Sequence, residues 1–200
     1  HSFDFSQDRL NPLPEGEEIT LPFKGRDRVG MGFSGETRHI DRRLRIIHEI
    51  ALAAGPEGMV GGQQLDIENE GKNIDVKALE ELHRRKTGAL ILAAVRSGGI
   101  AGGAAETQLS ALTDYGMKIG LAFQIADDIL DLEGDVEYIG KSTGKDVKQN
   151  KNTYPALLGS TESKIVARNL VDEALEAIES FDEKAVPLRM IAEYIVDRKS

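Results

Sequence analysis

The chain has 200 residues, with 25 basic and 34 acidic side chains, and therefore a formal net charge of −9. Its length allows one domain with a substantial core, and a composition of 40% hydrophobic and 30% charged residues is typical of soluble globular proteins. The acidic balance argues against nucleic acid as a partner, and the absence of cysteine excludes disulfides and thiolate metal sites. No transmembrane segment of ~20 apolar residues and no signal peptide is recognisable, so a cytoplasmic location is predicted.

Residues 1–42 differ in composition from the rest of the chain. They contain three of the six prolines, Pro12, Pro14 and Pro22, and they show no helical spacing of apolar residues. Proline and glycine also weaken any strand prediction in this stretch. The sequence therefore predicts an irregular leader over residues 1–42 and one domain over residues 43–200.

Helical spacing of apolar residues begins at Arg43. A first helix is predicted to end at Gly55-Pro56, because this pair stops a helix, and a second helix is predicted over residues 57–70. Asp75 is a candidate N-cap for a third helix, which is predicted to run towards Val95.

The second half of the chain contains the longest predicted helix, from Leu109 to about Leu132. A loop rich in glycine and lysine is predicted over residues 134–152. Two amphipathic helices are predicted to follow, around residues 165–178 and 188–196. No stretch alternates apolar and polar residues as a half-buried strand does, so the predicted fold class is all-α.

The long helix carries an acidic motif that runs from Gln124 to Asp131. Asp127 and Asp131 are four residues apart, so their carboxylates rise from one face of the helix, and Gln124 lies on the same face. The neighbouring residues are apolar, which favours a bound cation near these acids. Mg²⁺ suits them, because it prefers oxygen ligands and is commonly shared with substrate phosphates. The alternative is a solvated acidic turn.

Two lysine-containing stretches are candidate anion-binding groups. Lys86-Thr87-Gly88 lies within a predicted helix, and Lys141 and Lys151 lie in the predicted loop after the aspartates. Opposite a helix that binds Mg²⁺, such lysines would complete a diphosphate site, because ion and ammonium neutralise the same oxygens. Taken singly, each lysine would be interpreted as a solvated surface charge.

Two other motifs are similar to a nucleotide-binding loop and to a di-iron site, and neither fits its pattern. Residues 134–142 are similar to a nucleotide-binding P-loop, but five residues instead of four separate the two glycines, and a helix precedes them where a strand is required. Glu80-x-x-His83 is one unit of a carboxylate-bridged di-iron site, which needs two such units. His83 is followed by two arginines and is therefore predicted to lie at the surface.

Taken in order, the motifs resemble those of the trans-prenyl diphosphate synthases of the farnesyl and geranylgeranyl type. The resemblance extends over residues 43–200, and its specificity comes from several segments in the same order. These segments are 46–55, 61–66, 86–90, 124–131, 140–141, 150–159 and 187–200. The fold that this resemblance implies is an all-α helical bundle of the isoprenoid-synthase type.

The resemblance implies a Mg²⁺-dependent prenyltransferase of isoprenoid biosynthesis, which condenses an allylic diphosphate with isopentenyl diphosphate. In this family, Mg²⁺ ions bridge the allylic diphosphate to two acidic helices. The corresponding metal ligand here would be Asp127, with Asp128 and Asp131 in support.

The resemblance also implies which residues contact the substrate. Lys86, Lys141 and Lys151 would bind the allylic diphosphate. Thr87 and Gln124 would turn oxygens toward the developing allylic cation, and with Lys86 they would form the catalytic set.

The 200 residues contain no counterpart of the family's first aspartate-rich motif, and residues 1–42 do not resemble the family. The prediction is therefore an N-terminally truncated or divergent bundle whose transferase activity is impaired. One alternative is a non-catalytic helical subunit that pairs with a complete synthase. Another is a helical interaction domain in which the aspartates are solvated. The resemblance implies a homodimer or a complete synthase as the protein partner.

Overall fold

A computed structural model of the protein describes residues 34–139 and 152–198. Within these ranges the chain forms α-helices and no strand, which confirms the all-α prediction. The helices are α1 Ser34–Ala54, α2 Met59–Glu68, α3 Val76–His83, α4 Ala89–Gly102, α5 Glu106–Ile139, α6 Tyr154–Leu158, α7 Ser160–Ala177 and α8 Val186–Asp197. A π-helical turn, Arg84–Gly88, joins α3 to α4, and a short 3₁₀ helix, Glu183–Ala185, precedes α8.

Two helices extend further than the sequence predicts. Helix α1 begins at Ser34, so residues 34–42 of the predicted leader are helical and contain no proline to prevent it. Helix α5 continues to Ile139, past Gly134, because one glycine costs a helix only about 1 kcal/mol. The rest of the predicted leader and most of the predicted loop lie outside the described residues.

Helix α5 occupies the centre of the fold and packs against α4, α7 and α8. Its inward side chains, among them Ala122 and Ile125, are fully buried. One core cluster comprises Leu112, Tyr115, Ile119, Ala122, Ala126, Val171, Ala174, Ile178, Ala192 and Ile195. A second, which joins α3, α5, α6 and α7, comprises Leu79, Leu121, Ile125, Ile129, Tyr154 and Ala167. The helix that carries the acidic motif is therefore held by packing along its inner face from Leu112 to Ile129.

Helix α1 joins α4 through a paired ionic contact. Arg96 donates from Nε and Nη2 to the two carboxylate oxygens of Glu49, at 2.8 and 2.7 Å. This hydrogen bonding by Arg96 lowers the pKa of Glu49 below its ordinary value. Other side chains of α1, including Leu44 and Ile47, are more than half exposed. Among the described helices, none is both long and apolar enough to cross a membrane.

Burial of two tyrosines makes the stability of the fold depend on pH in the alkaline range. Tyr115 donates its hydroxyl hydrogen to the carbonyl oxygen of Leu188 at 2.8 Å, and burial raises its pKa to about 12. The pKa of Tyr154 is also raised to about 12, by burial first and by the nearby Glu80 second. Because the folded state favours the neutral phenol, the unfolded chain loses these protons first as pH rises.

We therefore expect the free energy of unfolding to fall between pH 10 and pH 12. Each tyrosine contributes at most about 1.4 kcal/mol per pH unit. Urea denaturation at pH 9, 10, 11 and 12 measures this slope, and Tyr115→Phe should make it shallower than in the wild type. Equal slopes for the two proteins would contradict the contribution assigned to Tyr115.

Candidate active site

The acidic motif of α5 places Asp127 at the surface of the bundle. Its side chain is 49% exposed, and Arg198, which follows α8, donates from Nη2 to Asp127 Oδ1 at 3.2 Å. The Arg198 guanidinium also lies over the Phe123 ring, 4.6 Å from its centroid. Asp131 is exposed one helical turn further along α5. This part of α5 therefore presents two accessible carboxylates and one cation.

Asp128 is directed into the protein, away from the surface that Asp127 occupies. Its residue is only 5% exposed, since adjacent residues of a helix point about 100° apart. Asp128 Oδ2 accepts a hydrogen bond from the backbone N–H of Tyr154 at 3.0 Å and lies 3.2 Å from His83 Nε2. This side chain therefore makes buried structural contacts, and its predicted support of the metal would act from the interior.

The prediction that His83 lies at the surface is wrong. His83 is 6% exposed, because Asp128 and the Tyr154 ring cover it. The two rings stack with centroids 5.8 Å apart. The charged residues after His83 do point outward, since Arg84 and Arg85 pair with Glu80 and Glu81.

Lys86 lies in the π-helical turn and pairs with α2. Its Nζ lies 2.6 Å from Asp66 Oδ2, and both side chains are partly exposed. The two segments approach closely at Gly62, where an added Cβ would lie 2.3 Å from the Lys86 backbone nitrogen. Asp66 is therefore a site residue that the sequence analysis missed, although it lies within a segment that carries the family resemblance.

Thr87 and Gln124 are brought together across the bundle. The Thr87 hydroxyl donates a short hydrogen bond to Gln124 Oε1, which joins the π-helical turn to α5. Close packing allows this contact, since a Cβ on Gly120 would lie 2.9 Å from Gly88 Cα. The lysine–threonine pair and the acidic motif therefore belong to adjoining elements, with Lys86 and Asp127 each paired to another residue. Lys141 and Lys151 lie outside the described residues.

The donor set suits a Mg²⁺ ion that is shared with a ligand. In the part of the chain that the structure describes, no group of three or more His, Asp or Glu side chains could hold a metal by itself. Asp127 and Asp131 supply accessible oxygen ligands, and Mg²⁺ is usually held by one or two carboxylates, waters and substrate phosphates. The residues present therefore fit a partial Mg²⁺ site that phosphate oxygens complete.

Comparison with known proteins identifies the family. Residues 36–191 match the family model described as Polyprenyl synthetase. The chain belongs to the polyprenyl synthetase family. This polyprenyl synthetase chain is 46% identical over 160 residues to the farnesyl diphosphate synthase of Escherichia coli (strain K12). That match covers 78% of the chain and 54% of the relative.

Solved structures agree with the family assignment. An FPP/GFPP synthase from Zymomonas mobilis in its apo form is similar with a TM-score of 0.67 and 36% identity, over 78% of this chain and 51% of that one. The geranyltransferase of Helicobacter pylori, complexed with magnesium and isoprenyl diphosphate, has a TM-score of 0.64 and 30% identity, over 78% and 52%. The polyprenyl synthetase chain spans about half the length of the curated relatives it matches.

Proposed function

We propose that this chain carries part of the active site of a prenyltransferase that condenses an allylic diphosphate with isopentenyl diphosphate. The observation that carries the proposal is the contact between Thr87 and Gln124. It joins the turn that bears Lys86 to the helix that bears Asp127 and Asp131, so the cation and the two carboxylates belong to adjoining elements. The names of the curated relatives support a transferase in preference to a non-catalytic subunit.

The acidic face of α5 is proposed to bind the diphosphate through Mg²⁺. Asp127 would ligate the ion directly, and Asp131 would support it through water. When bound, Mg²⁺ neutralises charge on the departing diphosphate and holds it in place. The magnesium and isoprenyl diphosphate bound by the Helicobacter pylori protein support this choice of metal and ligand. Asp128 is proposed to act from the interior, through the contacts described above.

The basic residues are proposed to bind the same diphosphate from the other side. Lys86 would exchange its contact with Asp66 for a phosphate oxygen, which an ammonium on a flexible stem can do. Lys141 and Lys151 are assigned to the same ligand by the family resemblance alone. Together with the metal, these lysines would offset the negative charge that grows on the leaving group as the carbon–oxygen bond breaks.

Thr87 and Gln124 are proposed to face the allylic cation. The Thr87 hydroxyl donates its only hydrogen to Gln124 Oε1, so its lone pairs remain available to a developing positive charge. The Gln124 carbonyl oxygen is held in place by the same hydrogen bond. Neutral oxygens at this point would stabilise a carbocation without competing with the alkene for it. An ionised group in the same place would compete.

Two wider statements remain predictions. A cytoplasmic location follows from the sequence analysis alone. The protein partner is predicted to be a second copy or a complete synthase.

A turnover assay tests the proposal. We expect the 200-residue chain on its own to show weak, Mg²⁺-dependent binding of allylic diphosphates and poor turnover. Charge neutralisation from a second acidic motif contributes several kcal/mol, so turnover should be ~10³-fold or more below that of a complete synthase. Radiolabelled isopentenyl diphosphate measures product, with the Escherichia coli farnesyl diphosphate synthase as the positive control.

Two results would contradict this account. Turnover equal to that of the control enzyme would show that the chain is not impaired by itself. Calorimetry without any Mg²⁺-dependent binding of diphosphate would overturn the proposed function.

A further inference from the structure

Three buried groups from three separate elements meet beneath the acidic face of α5. His83 ends α3, Asp128 belongs to α5, and Tyr154 begins α6. Asp128 Oδ2 lies 3.2 Å from His83 Nε2 and 3.0 Å from the Tyr154 backbone nitrogen, while the two rings stack. We call these three residues the buried clamp.

The clamp fixes the orientation of Asp128 because each polar contact is made in the interior. The side chains of His83 and Asp128 are only 8% and 6% exposed. A buried carboxylate without hydrogen bonds costs several kcal/mol, and here one oxygen accepts from both an imidazole N–H and a backbone N–H. Since an ionised carboxylate can only accept, Nε2 carries the hydrogen in this contact. Removal of the imidazole donor would leave a buried charge with one hydrogen bond on that oxygen.

The clamp also adjoins both halves of the proposed site. Asp128 directly follows Asp127 on α5, so a rotation of Asp128 about the helix axis moves Asp127 with it. His83 directly precedes the π-helical turn Arg84–Gly88, which carries Lys86 and Thr87. A hydrogen bond between His83 and Asp128 therefore ties the start of the basic turn to the acidic motif.

We propose that His83 is a positioning residue for the Mg²⁺–diphosphate site. Its contact with Asp128 sets the position of Asp127 relative to Lys86, so that one diphosphate can reach both. This role rests on the proposed function, since it presumes that Asp127 and Lys86 share a ligand. A histidine with only a packing role would affect stability and leave the binding of Mg²⁺ and diphosphate unchanged.

Two substitutions of His83 distinguish the contribution of its N–H donor from that of its aromatic ring. His83→Phe keeps a ring to stack on Tyr154 and removes the donor to Asp128. His83→Gln removes the ring and keeps an N–H donor that can reach the position of Nε2. Val171→Ala, in the fully buried core between α5 and α7, is the control for lost stability without a change at the clamp.

Calorimetric titration of the full chain with inorganic diphosphate, with and without Mg²⁺, provides the measurement. Loss of a residue that orients a metal ligand typically weakens metal affinity at least ~10-fold. We expect His83→Phe to weaken Mg²⁺-dependent diphosphate binding about tenfold, with the Mg²⁺-free affinity unchanged. His83→Gln and Val171→Ala should both stay within about twofold of the wild type, a difference too small to change the binding free energy by 0.5 kcal/mol.

Each result has one interpretation. If the wild type binds and His83→Phe binds equally well, the positioning role is overturned while the proposed function stands. If the wild type shows no Mg²⁺-dependent binding, the proposed function falls and the positioning role with it. If circular dichroism shows that His83→Phe does not fold, His83→Leu, which also lacks an N–H donor, takes its place. A tenfold loss of binding that His83→Gln does not share would support the role of the donor, and binding close to that of the wild type would overturn it.

Discussion

Replacement of Asp127 by alanine is expected to remove Mg²⁺-dependent binding of diphosphate and to leave the fold intact. Asp127 is half exposed, and its ion pair with Arg198 at 3.2 Å lies near the surface, where such pairs contribute only ~0–1 kcal/mol to stability. The substitution also relieves repulsion from Asp131, four residues away on the same face. As the only direct metal ligand we assign, Asp127 should account for most of the metal-dependent affinity.

The expected loss is ~100-fold or more in Mg²⁺-dependent affinity, which corresponds to about 2.7 kcal/mol. Calorimetry with inorganic diphosphate and Mg²⁺ measures this loss, and thermal unfolding verifies the fold. Asp172→Ala is the matched control, since it removes one exposed carboxylate from α7 and changes the net charge equally. Similar affinities for the two variants would show that Asp127 is not a metal ligand.

Gly62→Ala is expected to cause the largest loss of stability among single substitutions in the site. A Cβ at this position would lie 2.3 Å from the backbone nitrogen of Lys86 and 2.6 Å from its Cα. Backbone atoms cannot rotate away as a side chain can, so α2 must separate from the π-helical turn. That movement would also lengthen the contact between Lys86 and Asp66, which is 2.6 Å in the native protein.

Overpacking of this kind costs about 3 kcal/mol or more when the neighbour cannot yield. For a protein of this size, the midpoint of thermal unfolding should fall by ~6–12 °C. Gly98→Ala is the control, because nothing lies within 4 Å of its Cβ position in α4. Alanine there should stabilise the protein by up to ~1 kcal/mol. Equal midpoints for Gly62→Ala and the wild type would contradict the close approach at Gly62.

The sequence predicts helix boundaries well where the side chain that sets the boundary contacts the backbone within one helical turn. Asp75 was predicted as an N-cap, and its Oδ1 accepts a hydrogen bond from the Ala78 backbone N–H at 2.8 Å. The sequence predicts a third helix that runs only towards Val95, whereas α4 continues to Gly102. The actual stop is Gly103, which adopts a left-handed conformation with φ of 77°. Glycine identity alone does not tell which glycine adopts that conformation.

The candidate site was predictable in part. The sequence places Asp127 and Asp131 on one face through their spacing alone. His83 shows the limit, since its local neighbours are charged and the carboxylate that buries it lies 45 residues away. The contact between Arg198 and Asp127 was unpredictable for the same reason, because 71 residues separate the two. Contacts between distant segments depend on how whole helices pack, which short-range patterns do not encode.

The π-helical turn makes chain length critical between α3 and α4. An α-helix turns by about 100° and advances 1.5 Å per residue, whereas this turn closes over a wider ring of backbone atoms. Deletion of one residue within Arg84–Gly88 would let the backbone return to α-geometry, and because the wider ring had absorbed that residue, α4 would keep its orientation relative to α3. The surface of α4 that meets α5 includes Leu92 and Gly99, which approach Gly116 and Leu112. That packing would therefore survive the loss of one residue, whereas Lys86 and Thr87 would leave the backbone in other directions. The length of this segment matters more to the site than to the fold.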